Sequence, residues 1–191
     1  MSRRCGLLLG TVLVFLAACG EPPEKEMQQA QGAIDAARAA GASQYAPDEF
    51  KAAVSALDRA RQAADARDYR QALNDALDSR ERAQEAARQS AENMAAARVD
   101  ADRAIAAAMS VLTTLRKRAT DLEASRVPAR ALVEPREQLA ASEGRLQEAR
   151  AAFDRQDYPA AKAAAEATSQ ALAPVGQVLE GLAPQAPRRG R

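Results

Sequence analysis

The chain contains no histidine and no tryptophan, and it has only two cysteines, Cys5 and Cys19, both near its start. Without histidine, zinc sites and Ser/His or Cys/His nucleophiles lose their usual members. The sequence also lacks a glycine-rich phosphate loop and a G-x-S-x-G nucleophile elbow. These absences predict a protein that is not an enzyme, has no catalytic residues and binds neither a metal nor a dissociable cofactor.

The charged residues are plentiful, but their pattern does not favour catalysis or nucleic-acid binding. Carboxylate pairs such as Asp65 with Asp68 are expected by chance among 26 acidic residues. Arginines stand near them at helical spacing, which is typical of solvated ion pairs. Aromatic residues are 3% of the chain and do not interleave with a basic stripe, so we expect no nucleic-acid partner.

Glycine and proline are both absent from residues 48–127, where apolar residues recur at intervals of three and four. This spacing places them on one face of an α-helix. Alanine, which makes up 50 of the 191 residues, strongly favours helix but buries little apolar area. The sequence therefore predicts an all-α fold with thin cores. Nothing between Tyr69 and Arg126 stops a helix, so a long helix, bent or unbent, is predicted there.

Shorter helices are predicted before the long one. The first covers residues 24–40 and ends at Gly41, because glycine is preferred just beyond a helix C-terminus. Residues 42–46 are predicted to form a loop. Pro47 fits the first turn of a second helix, which ends near Ala66.

An Asp-Tyr pair is the most distinctive internal feature, and it occurs twice, at 68–69 and 157–158. Asp68 is expected to cap the long helix, with Gln71 completing a capping box. Two interpretations stay open for the pairs. Tyr69 and Tyr158 could line a groove that accepts a peptide or glycan; alternatively, Asp68 and Asp157 cap helices while the tyrosines pack over the turns, which is the interpretation we favour.

A shift of 89 residues aligns other positions as well, such as Leu57 with Leu146 and Ala72 with Ala161. The second half is therefore predicted to repeat the first. Pro135 matches Pro47 with a slip of one residue and is expected to start a helix. The helices predicted for the second half cover residues 99–126, 135–155 and 158–173.

The predicted architecture is an elongated antiparallel helical bundle built from two three-helix units that share the long central helix. Residues 24–96 are assigned to the first repeat and residues 97–174 to the second. Residues 175–191, which are rich in proline, glycine and arginine, are predicted to be a disordered tail.

Residues 1–18 have the three parts of a secretory signal peptide. Two arginines precede an apolar run over residues 7–16, and two small residues, Ala17 and Ala18, follow it. The apolar run is shorter than the roughly 20 residues that a permanent membrane-spanning helix needs. We therefore expect this segment to be removed.

The residues Leu16-Ala17-Ala18-Cys19 resemble the lipobox of bacterial lipoproteins. This resemblance implies cleavage between Ala18 and Cys19, a diacylglycerol on the Cys19 thiol and an acyl chain on its new amino group. Residues 19–23 would then be the lipidated cysteine and a short extended tether, since proline at 22 and 23 disfavours helix. The alternative is an ordinary secreted protein with a chance cysteine near its cleavage site.

The residue after Cys19 indicates which of the two bacterial membranes would hold the lipid. In Gram-negative lipoproteins, an aspartate directly after the lipidated cysteine resembles the signal for retention in the inner membrane. This chain has Gly20 at that position instead. The resemblance therefore implies the outer membrane, with the protein facing the periplasm.

Residues 33–90, including Tyr45-Ala46-Pro47-Asp48-Glu49-Phe50, resemble a family of uncharacterised Ala-rich helical envelope lipoproteins, some of which carry OmpA-like peptidoglycan-binding domains. The function predicted is a non-catalytic structural or interaction module of the cell envelope, joined to the membrane by lipid. An envelope protein or peptidoglycan is the expected partner, and a homodimer stays open. The alternative is a helical carrier or chaperone-like binder of lipid or polypeptide, which requires a sizeable apolar cavity.

Overall fold

The computed structural model describes residues 21–182, so the predicted signal peptide, Cys19 and residues 183–191 lie outside the described part. Residues 21–182 contain no β-strand, and the predicted all-α helical fold is confirmed. The helices are α1 (Glu24–Ala39), α2 (Ala42–Tyr45), α3 (Pro47–Asp65), α4 (Tyr69–Ala124), α5 (Ala129–Asp154) and α6 (Tyr158–Gly181). Within residues 21–182, no helix combines the length and the hydrophobicity that a membrane-spanning segment needs.

Helix α4 is the long central helix that the sequence predicts. Its 56 residues form one α-helix, consistent with the absence of glycine and proline from this stretch. The chain divides into two compact units between Asn93 and Met94, inside α4. Unit 1, described over residues 21–93, contains α1–α3 and the first part of α4. Unit 2, described over residues 94–182, contains the rest of α4 with α5 and α6.

Unit 1 has the thin core that its alanine content predicts. Ile34 of α1 and Leu57 of α3 are its largest fully buried apolar side chains, and most of their buried neighbours are alanines. Ser79 of α4 lies in this core, and its hydroxyl donates to the Ala53 carbonyl oxygen of α3 at 2.8 Å. This bond joins α3 to α4 across a seam of small side chains.

The core of unit 2 repeats that of unit 1 in register. Ten pairs of positions separated by 89 residues are buried in both units. Six of these pairs have a larger side chain in unit 2, and the three pairs nearest the end of α6 are among them, so the core of unit 2 is bulkier there. The pairs are Ala46/Pro135, Ala53/Ser142, Leu57/Leu146, Ala60/Ala149, Ala72/Ala161, Ala76/Ala165, Ser79/Thr168, Ala83/Leu172, Ala86/Val175 and Ser90/Leu179.

The first helix of each unit follows a different shift, of 85 residues. Gly41 ends α1 with a φ of 80°, and Arg126 follows α4 with a φ of 63°. Buried positions of α1 match those near the end of α4 at the same shift, for example Ile34 with Ala119. The connection after the first helix is therefore four residues longer in unit 2 than in unit 1.

Two connections differ from their predictions. Residues 42–46 were predicted to be a loop, but they contain the single helical turn of α2, in which Ala42 is buried. Pro135 was predicted to start a helix, but it is buried inside α5, which begins at Ala129. Leu132 is fully buried in the first turn of α5, and this burial outweighs the one backbone hydrogen bond that proline removes.

The predicted tail is wrong for residues 175–181, which continue α6 to Gly181. Val175 and Leu179 are buried in unit 2, and Gly176 lies against the side chain of Leu115. Pro174 is exposed on the outer face of the helix. Burial of two large apolar residues beyond Pro174 thus holds the helix together past the proline.

Candidate functional site

The turn between α3 and α4 has a defined backbone geometry. The Asp68 N–H donates to the Ala63 carbonyl oxygen at 2.8 Å, and the Arg67 N–H donates to the Ala64 carbonyl oxygen at 2.9 Å. These are the two bonds of a Schellman motif, which places Arg67 in the left-handed region with a φ of 60°. The chain is thereby reversed within three residues, bringing α4 back alongside α3.

Asp68 then caps α4, but the predicted capping box is only half formed. A carboxylate oxygen of Asp68 accepts the Gln71 N–H at 3.0 Å. The side-chain amide of Gln71 points forward along α4 and donates to Asp75 at 2.9 Å. Asp75 is nearly buried and needs this donor, which explains why Gln71 does not reach back to Asp68.

The turn between α5 and α6 repeats this arrangement 89 residues later. The Asp157 N–H donates to the Ala152 carbonyl oxygen at 3.0 Å, and Gln156 has a φ of 64°. Asp157 accepts the Ala160 N–H at 3.3 Å and so caps α6. Both predicted aspartates therefore act at helix starts, one in each unit.

The two tyrosines have different surroundings. Tyr158 is buried and packs edge-on against Phe153, with the ring centroids 5.1 Å apart. In unit 1 the position that matches Phe153 is Ala64, and Tyr69 is only half-buried. Tyr158 thus packs within its own unit, whereas Tyr69 keeps an accessible face.

Tyr69 faces the start of the described chain. A groove of about 650 Å³ in unit 1 is lined by residues 21–26, Gln28, Tyr69 and Leu73. Pro23 is buried, and the Pro22 carbonyl oxygen accepts the Glu24 N–H at 2.8 Å. The two prolines were predicted to belong to an extended tether, but Pro23 packs into unit 1.

At the end of unit 1 that contains Glu21 and Tyr69, helix α4 extends further than helix α1 does. The Arg80 side chain of α4 donates to the Gln29 side chain of α1, and Ser90 donates to the Ala40 carbonyl oxygen. These pairs show that α1 and α4 run parallel, offset by 50 or 51 residues. Glu24 is therefore level with residues 74–75, and the first turn of α4 extends beyond the start of α1.

Apolar side chains in this overhang and in the next turns of α4 are partly exposed. Tyr69, Leu73 and Leu77 are spaced by four residues on one face, and we call them the α4 strip. Leu73 and Leu77 are 36% and 38% exposed. The sequence analysis did not identify Leu73 and Leu77. Their spacing of four and eight residues from Tyr69 places all three on one helix face, different from the face of the buried Ala72 and Ala76, and this pattern can be read from the sequence.

A ladder of ion pairs joins α3 to α4 on another face of unit 1. Arg59 bridges Asp75 and Asp78, each at 3.2 Å, and Arg82 bridges Asp78 at 2.9 Å and Glu49 at 3.4 Å. The hydrogen bond from Arg82 to Asp78 raises the pKa of that guanidinium above its ordinary value. These ion pairs join the two helices through side chains that mostly remain partly in solvent, where such pairs contribute little to stability.

The carboxyl groups with shifted pKa values are shifted downward by basic neighbours. Hydrogen bonds from Arg88 and Gln89 lower the pKa of Glu85 to about 2. In unit 2, Lys162 lowers the pKa of Asp100, and Arg116 lowers that of Glu143. Such carboxylates stay ionised at neutral pH and are poor proton donors. Among residues 21–182, no three acidic side chains are grouped so as to hold a metal ion.

Comparison with known proteins adds no family or relative. No protein-family model matches the chain, and no curated protein or solved structure matches it either.

Proposed function

We propose that the protein is an outer-membrane lipoprotein, anchored through acyl chains on Cys19, whose helical units act in the periplasm as a non-catalytic structural or interaction module. The observation that carries this proposal is the lipobox-like sequence at 16–19, placed just before the helical unit that begins at Glu24. Pro23 packs into that unit, so little chain separates the lipid from the folded body. Two or three acyl chains on one residue give firm attachment to a bilayer.

The mechanism we propose is positional. The lipid holds one end of the chain at the membrane, while charged helix faces remain available to an envelope protein or to peptidoglycan. In unit 1 these faces are stabilised by ion pairs such as those of Arg82, and in unit 2 by the contacts Lys162–Asp100 and Arg116–Glu143. A homodimer through alanine-rich faces remains a prediction, which sedimentation equilibrium of the purified protein tests.

Two of the described grooves, one in each unit, do not favour the alternative of a carrier for lipid or polypeptide. Such a carrier needs an apolar cavity, because its ligand must leave water. The groove beside Glu49 and Arg82 in unit 1 is walled by charged side chains. The groove beside Asp100 and Lys162 in unit 2 is lined by charged and polar side chains together with Ala104 and Ala107. We therefore do not extend the proposal to ligand transport.

Replacement of Cys19 tests the anchor. The variant Cys19→Ala cannot be acylated, so we expect it to accumulate as an unprocessed precursor and to be missing from the outer-membrane fraction in its mature form. The matched control is Cys5→Ala, which removes the other cysteine from within the predicted signal peptide and should leave processing and fractionation unchanged. Equal fractionation of wild type and Cys19→Ala would contradict the proposal.

Photo-crosslinking in cells tests the interaction role. A photoreactive amino acid at Val133, which is 52% exposed on α5, should capture an envelope protein or a peptidoglycan fragment. The same probe at Leu172, which is buried in unit 2, is the control and should capture only neighbouring residues of the same chain. A set of exposed positions on both units that captures neither kind of partner would argue against an interaction module.

A further inference from the structure

We propose that the end of unit 1 formed by the α3–α4 turn and the start of α1 lies against the phospholipid bilayer, with the α4 strip in contact with the membrane interface. This inference rests on the proposed lipid anchor and adds an orientation to it. It names the surface of the protein that touches lipid and the residues that make the contact.

The short reach of the chain between Cys19 and unit 1 limits how far this end can be from the membrane. Glu21 is the first described residue, and it already lines the groove that contains Tyr69 and Leu73. Two peptide links separate Cys19 from Glu21 and span at most about 7 Å. A lipidated Cys19 is therefore held within a few ångströms of one end of unit 1, and the α4 strip lies at that end.

The chemistry of the strip suits the membrane interface. Tyrosine has an apolar ring and a polar hydroxyl, and it is enriched where hydrocarbon meets headgroups. Leu73 and Leu77 each expose more than a third of their surface to solvent, and lipid contact would remove part of that apolar area from water. The charges that line the groove are mainly acidic, with Glu21, Glu24 and Glu26 beside Lys25, so the contact depends on apolar burial and not on attraction to anionic lipid.

The strip is confined to the unit that follows the anchor. At the shift of 89 residues, Leu73 matches Lys162 and Leu77 matches Glu166, while the tyrosine of unit 2 is buried against Phe153. The two units share their buried positions but differ at this exposed face. This face is apolar in unit 1 and charged at the matching positions of unit 2, as expected if unit 1 contacts the membrane.

Tryptophan fluorescence tests this orientation, because the chain has no tryptophan of its own. The variant Leu73→Trp places a single probe on the strip, at an exposed position that tolerates the larger side chain. The matched control is Ala91→Trp, which is exposed on the same helix and in the same unit, about 27 Å further along α4. Each full-length variant is purified with its lipid and reconstituted into phosphatidylethanolamine–phosphatidylglycerol vesicles, with or without bromine atoms on the acyl chains.

We expect the emission of Leu73→Trp to shift to shorter wavelength on reconstitution and to lose intensity in brominated vesicles, while Ala91→Trp keeps both its wavelength and its intensity. Leu77→Trp provides a second probe of the same strip, and circular dichroism checks that each variant stays helical. If vesicles float with the protein but both strip probes behave like Ala91→Trp, the orientation is refuted and the anchor stands. If the protein does not float with vesicles, the anchor itself fails, and the orientation falls with it.

Discussion

The Schellman turn after α3 predicts that Arg67→Gly stabilises the protein. Arg67 holds a φ of 60°, where a Cβ atom crowds the neighbouring carbonyl oxygen at a cost of about 1–2 kcal/mol. Glycine avoids that contact but has more backbone freedom to lose on folding, by about 0.5–1 kcal/mol. The difference between these two ranges is a gain of about 0–1.5 kcal/mol in the free energy of unfolding, and we expect roughly 0.5–1 kcal/mol. At about 2–4 °C per kcal/mol for a chain of this size, the melting temperature should rise by about 1–4 °C.

The matched control for this prediction is Arg67→Ala. Alanine removes the exposed guanidinium while keeping the Cβ atom, so it should leave the free energy of unfolding within about 0.5 kcal/mol of wild type. Both variants are compared by urea unfolding followed by circular dichroism, and Arg126→Gly provides an independent site with the same geometry. If Arg67→Gly is no more stable than Arg67→Ala, strain at the left-handed residue does not determine the stability of the turn.

Three further predictions concern buried and charged side chains of the two units. Leu57→Ala and Leu146→Ala, at matching core positions, should each lower the free energy of unfolding by about 3 kcal/mol in urea titrations. Ser79→Ala removes a buried hydroxyl that donates to a backbone carbonyl of α3, and it should lower that free energy by about 1 kcal/mol. The Glu85 carboxyl should titrate near its lowered pKa of about 2 by NMR, and it should move back toward its ordinary value of 4.5 in Arg88→Gln.

The sign of the pH effect follows from the lowered pKa of Glu85. The contribution of its ionised carboxylate to stability is present above the ordinary pKa of 4.5 and is lost as the pH falls toward 2. A titration midpoint that is unchanged in Arg88→Gln would show that the guanidinium does not cause the lowered pKa of Glu85.

For the core variants, Val133→Ala is the control. The Val133 side chain is largely exposed, so its truncation should change the free energy of unfolding by less than about 0.5 kcal/mol.

The helical class and the long central helix could be predicted from the sequence because they depend on local properties. No glycine or proline lies between Tyr69 and Ala124, and the apolar spacing is regular. The Asp-Tyr turns were also readable, since Asp68 and Asp157 cap their helices through contacts within three residues. Local chemistry was sufficient for these features.

The prolines show where local reasoning fails. Pro47 begins α3, whereas Pro135 and Pro174 lie inside helices. The difference comes from tertiary burial of Leu132 and Val175 next to them, which a propensity argument does not include. The left-handed residues were hidden for another reason, because three of them are not glycine and carry no sequence mark of a positive φ.

The candidate site was only partly visible in the sequence. Tyr69 and Tyr158 look equivalent, and their separation into one accessible and one buried ring depends on Ala64 and Phe153, which share a position in the repeat. The exposure of Leu73 depends on how far α4 extends beyond the start of α1. That offset is a property of helix packing, and no single segment encodes it.

The lipid anchor on Cys19 can be tested by measuring the intact mass of the mature protein after detergent extraction from isolated membranes. We expect a chain that begins at Cys19 and exceeds the mass of its polypeptide by one diacylglycerol and one further acyl chain. Tandem mass spectrometry should place both groups on that residue. A mature chain that carries no lipid, or that begins at any residue other than Cys19, would contradict the account.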